Sequence, residues 1–81
     1  MPNIDANAIA VTMRRLLRRK ELEQSLGLSR SAIYARLDPK SPQHDPNFPR
    51  PIKLGSLAVA WVESEVQCYI AGLIEDSRNP R

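Results

Sequence analysis

Five of the chain's seven prolines fall within residues 38–51. Proline fixes φ, has no amide donor and pushes the residue before it towards extended backbone, so no regular helix crosses this stretch. The 81 residues are thereby divided into a segment before the prolines and one after, joined by an extended connection. A chain of this length makes one domain and buries only about 60% of the surface its unfolded form exposes. The core is therefore small, and with few aromatic residues available, Trp61 and Tyr69 carry much of it.

Before the prolines, KELEQSL is built of good helix formers and sets Leu22 and Leu26 four residues apart on one side. Gly27 then supplies the left-handed stop, and Leu28 can fold back onto the helix it leaves. Ser29 can cap a second helix only three residues later by accepting an amide of its first turn. At 100° per residue, Ile33 and Leu37 point inward while Arg30, Ser31, Tyr34 and Ala35 face out, with Arg36 on the flank. Two short helices joined by a glycine-containing turn, the second polar and basic outward, are the pattern of a helix-turn-helix.

After the prolines, Ile52 and Leu54 are expected to face inward with Lys53 outward. Gly55 and Ser56 make a turn, and residues 57–61 return as a second strand, giving a β-hairpin. Val62, Val66, Tyr69, Ile70 and Leu73 recur at helical spacing, with Glu63 and Glu65 at the end where acids suit the helix dipole. Ser64 and Gln67 also fit a capping box, which would start this helix a turn later.

The single cysteine, Cys68, excludes an internal disulfide, and with one histidine, His44, no familiar metal-ligand spacing exists. No hydrophobic run approaches the roughly 20 residues of a membrane span, and no signal peptide is evident, so a cytoplasmic protein is expected. No nucleophile, carboxylate pair or metal set marks an enzyme, and no cofactor is expected. Charge is more informative. The net value is +3, but from residue 14 to residue 53 ten Lys/Arg stand against four Asp/Glu, whereas residues 61–76 hold four acids and no base. A two-sided small domain of this kind attracts polyanions through its basic part, nucleic acid foremost.

RLLRRKELEQSLGLSRSAIYARL followed by FPRPIKLGSLAVAWVESEVQCYIAGL resembles the AlpA family of short prophage regulators, related to excisionases and to the winged DNA-binding heads of MerR-type proteins. GLSRSAIY, FPRPIKLG and AVAWVESEV occur in the family's order at compatible spacing. The resemblance implies a mainly α, winged helix-turn-helix fold with a small β-hairpin. It also implies a regulator that binds duplex DNA, often promoting prophage excision. Residues 1–13 are then an N-terminal arm, 14–76 the DNA-binding domain and 77–81 a tail. The second helix becomes the recognition helix and the hairpin the wing. Leu57 departs from the family, whose members often carry arginine there.

On this reading Ser29, Arg30, Ser31, Tyr34 and Arg36 are the DNA-binding residues of the recognition helix. Arg30 is suited to guanine edges, and the hydroxyls to bases or phosphates. Arg50 and Lys53 belong to the wing, and Arg18, Arg19, Lys20 and the flanking Arg36 are phosphate binders. Trp61 is assigned to the core. One such module buries roughly 600–1,000 Å², so tight binding calls for repeated sites or self-association on DNA. The rival reading is an adaptor that modulates a host regulator or recombinase through its acidic last helix or its N-terminal arm.

Overall fold

The break between the first two helices falls at the glycine. A computed structural model describes residues 14–79; the arm of residues 1–13 lies outside them. In order, the elements are β1 (Leu16–Leu17), α1 (Arg19–Leu26), α2 (Arg30–Leu37), β2 (Ile52–Lys53), β3 (Val59–Val62) and α3 (Glu63–Arg78). At the start of α1 the Glu21 carboxylate accepts the Arg18 backbone N–H at 3.0 Å. At its end Gly27 adopts φ 66°, and the amides of Gly27 and Leu28 both donate to the Glu23 carbonyl. Ser29 Oγ then accepts the Ala32 N–H at 3.1 Å and opens α2. Ile33 is buried and Leu37 packs against the same core, as the helical spacing required.

The proline-rich connection is not extended. It is three turns in series, each begun by Asp or Ser followed by proline. The carbonyls of Asp38, Ser41 and Asp45 accept the amides of Ser41, His44 and Phe48, each at 3.0 Å. The side chains of the same three residues accept the amides of Lys40, Gln43 and Asn47. Proline pre-sets φ for the second turn position while the preceding side chain mimics a backbone acceptor, so the repeated pair folds each turn locally. The connection is tied back to α2 where the Asp45 N–H donates to the Arg36 carbonyl at 2.9 Å.

The sheet has the order β1-β3-β2 and is antiparallel throughout. Ile52 pairs with Ala60 and Lys53 with Val59, which makes the expected hairpin. β1 was not expected: Leu16 pairs with Val62 and Leu17 with Trp61. Two residues are too short to show a period, and their partners are remote in sequence, so nothing local announces the strand. The expectation that Ile52 and Leu54 face inward is overturned, for they are 40% and 46% exposed. Side chains alternate along a strand, so Ile52 shares the face of its partner Ala60, opposite Val59 and Trp61; Ala60 on the central strand is fully buried there, while Ile52 on the edge strand is not.

The core is Leu17, Leu22, Ile33, Phe48, Trp61 and Val66. Trp61 is fully buried at its centre, and its indole N–H donates to the Pro49 carbonyl at 3.1 Å. Phe48, which the sequence left unassigned, packs edge-on against Tyr69 with ring centroids 5.1 Å apart. Thus the FPRP motif seals the core before it enters the wing. α3 follows β3 without a loop. Its cap is Val62, with no side-chain bond, so the Ser64/Gln67 box is unused. The helix continues through Ser77 and Arg78, residues assigned above to the tail. Cys68 is exposed on it.

Candidate nucleic-acid interface

The cap at Ser29 aims the first turn of α2 outward, because Ile33 and Leu37 fix which side of the helix meets the core. Ser29, Arg30, Ser31 and Tyr34 are all exposed. The Arg30 guanidinium carbon lies 5.9 Å from the centre of the Tyr34 ring, within cation–π range, so the two side chains order each other. Ser29 uses Oγ as an acceptor for the cap, which leaves its hydroxyl proton free to donate outward.

Tyr34 also borders a hollow of 390 Å³ whose other walls are Arg18, Arg19, Lys20, Leu57 and Val59. The basic start of α1, the outward face of α2 and the tip of the hairpin therefore meet on one side. Arg18 and Lys20 are exposed, and among the described residues neither forms an ion pair. Arg19 differs: it is partly buried and pairs with Glu23 one helical turn on, which offsets its charge. Arg50 and Lys53 are exposed, Arg50 on the rim of a second hollow that Tyr34 shares, Lys53 on β2 itself.

Arg36 lines that second hollow with Tyr34 and Arg50, but its guanidinium is already engaged within the protein. Its guanidinium donates to the Ala32 carbonyl at 3.0 Å in a partly buried setting. Nearby the Tyr69 hydroxyl donates to Asp45 Oδ2 at 2.7 Å. Burial raises the Tyr69 pKa above its ordinary value, the hydrogen bond and the negative charge of Asp45 raise it further, and Arg36 opposes both. Arg36 so belongs to a small polar clasp joining α2, the turn series and α3. Sequence reasoning missed the clasp because Asp45 and Tyr69 come together only once the turns have formed.

Among the described residues no group of three His, Cys, Asp or Glu could hold a metal ion. Nor is any helix long and apolar enough to cross a membrane.

Two short helices about a glycine turn, followed by a hairpin that flanks the second, define a winged helix-turn-helix protein. Residues 15–73 match the family model described as Prophage CP4-57 regulatory protein (AlpA), and the chain belongs to that family. It is 39% identical over 57 residues to "DNA-binding transcriptional activator AlpA" of Escherichia coli, a match covering 70% of this chain and 81% of that protein. It is likewise 39% identical over 64 residues to "Uncharacterized protein ORF88" of Enterobacteria phage P4, covering 79% of this chain and 66% of the other. No solved structure matches the chain. The family is one of regulatory proteins, so the chain is not an enzyme.

Proposed function

We propose that the chain binds duplex DNA sequence-specifically and regulates transcription of prophage genes, those for excision among them. The observation that carries the reading is the convergence of Arg18, Lys20, Tyr34 and the wing tip around one hollow beside the exposed Arg30 and Ser31. A relative bearing the name of a DNA-binding transcriptional activator supports it. In this mechanism α2 lies in the major groove and offers Arg30, Ser31 and Tyr34 to base edges, with Ser29 donating to a phosphate. Arg18 and Lys20 hold one phosphate strand, and Arg50 and Lys53 hold another along the wing. Arg19 and Arg36, each already bonded within the protein, shape the surface instead of meeting DNA. No cofactor is required, and duplex DNA is the partner.

The test is footprinting over duplexes tiled across the gene's own genomic neighbourhood, followed by affinity measurements at several salt concentrations. A protected site whose affinity falls steeply with salt is expected. Binding that is absent, or indifferent to salt, would remove the reading.

The adaptor reading keeps one observation in its favour. The outer half of α3 exposes Leu73 and Ile74, at 48% and 45%, beside Glu75 and Asp76. If it is correct, a host regulator or recombinase is retained when the basic face is neutralised and lost when these four residues are changed.

A further inference from the structure

Leu57 is 98% exposed, far beyond any other large apolar side chain of the described residues. It stands in the loop that joins β2 to β3, a loop closed by the Leu54 N–H donating to the Ala58 carbonyl at 2.8 Å. Nothing in the fold of the described residues uses it. Its surroundings are nevertheless specific. It borders the hollow lined by Arg18, Arg19, Lys20 and Tyr34, so a leucine wholly in water sits among cations and an aromatic ring.

A single exposed leucine is ordinary on a protein surface. A leucine at the tip of a projecting hairpin, with a cationic rim, is suited to an occupant that is anionic outside and apolar within. Duplex DNA has that character in its minor groove, where deoxyribose walls and base edges lie between two phosphate rows. Apolar side chains enter this groove in other proteins and unstack or widen it. A hairpin flanking a helix in the major groove reaches the adjacent minor groove.

We propose that Leu57 is an apolar DNA contact, carried by the wing into the minor groove beside the site read by α2. The proposal rests on the DNA-binding reading above. It gives the wing two functions, since Arg50 and Lys53 hold phosphates while Leu57 reports how readily the groove between them opens, a property that varies with sequence.

Charge and apolar contacts respond differently to salt, which makes the proposal testable. The probe is a duplex selected from a random library by the wild-type protein. Leu57→Ala should bind it about tenfold more weakly, the order expected when a leucine loses its cover, with the slope of log affinity against log salt unchanged. Leu57→Arg should steepen that slope by about one. Hydroxyl-radical cleavage, which attacks deoxyribose from the minor groove, should show a protected patch flanking the α2 site that Leu57→Ala alone loses. Because the side chain is exposed, the melting temperature of each variant should match the wild type. If Leu57→Ala keeps wild-type affinity, or loses affinity without losing the patch, Leu57 is not a minor-groove contact. If the wild-type protein itself selects no duplex, the DNA-binding reading fails first and takes this proposal with it.

Discussion

Arg15 binds Glu63 twice. Its carbonyl accepts the Glu63 backbone N–H at 2.8 Å, and its guanidinium reaches the Glu63 carboxylate at 2.9 Å. The same guanidinium reaches Glu21 at 2.7 Å, so one residue before β1 joins the first turns of α1 and α3. These side chains are largely solvated, and ion pairs in that setting contribute little. The backbone bond matters more, because it satisfies the first amide of a helix that has no side-chain cap.

Glu63→Gln and Glu63→Pro separate the two contacts. Glutamine removes the charge and keeps the amide; its cost should be below about 1 kcal/mol. Proline suits the first helical position and follows an extended Val62, but it has no N–H for Arg15. It should cost about 1–3 kcal/mol more than glutamine, the penalty of an unpaired carbonyl. Equal midpoints for both variants in urea would show that the backbone bond contributes nothing.

Trp61→Ala removes the centre of the core and leaves the Pro49 carbonyl without its indole donor. The loss should be about 3–5 kcal/mol, enough to unfold a small domain at ordinary temperature. Unchanged denaturation with abolished DNA binding would instead put the ring at the interface.

Tyr69 titrates late in the folded protein. The chain has two tyrosines, so in Tyr34→Phe the phenolate absorbance reports Tyr69 alone. Its midpoint should lie above the ordinary value of about 10. Asp45→Asn should bring it down, since burial is then the remaining cause raising it. The sign for stability follows from the folded state holding the proton more tightly than the unfolded chain. Stability from this group is complete below the unfolded pKa and is lost as pH rises through the folded one. Tyr69→Phe should accordingly flatten the fall in stability on the alkaline side.

The parts of the fold legible in the sequence are those specified by neighbours in the chain. Gly27 and Ser29 fix the two helices through bonds spanning three or four residues, and the Ile52 to Ala60 register follows from a short hairpin. What stayed hidden depends on residues far apart: β1 on β3, Phe48 on Tyr69, Asp45 on Arg36 and Tyr69. The candidate interface divides in the same way. Arg30, Ser31 and Tyr34 could be placed outward from helical spacing alone. That Arg19 is paired and Arg36 bonded within its own helix depends on Glu23 and on the Ala32 carbonyl, contacts that spacing permits but does not require.

Arg30, Lys53 and Arg36 are three bases whose removal should have three different effects, and together they test the proposed mechanism most fully. Arg30 is exposed in the first turn of α2 and steadied by Tyr34, the position from which a helix-turn-helix reaches base edges. Arg30→Ala should cost about 1–3 kcal/mol on a selected duplex and much less on random DNA, so that specificity falls. Lys53 is exposed on the wing, where the proposed mechanism gives it phosphate alone to hold. Lys53→Ala should weaken both DNAs about equally and lower the slope of log affinity against log salt by about one. Arg36 is held by the Ala32 carbonyl beside Tyr69, and Arg36→Ala should lower the melting temperature while leaving the salt slope as it was. The measurement is a salt titration of each variant with both duplexes, alongside a thermal melt. Equal weakening of both DNAs by Arg30→Ala would move base reading to another residue of α2. A reduced slope in Arg36→Ala with an unchanged melt would return Arg36 to the DNA surface and displace the clasp as its function.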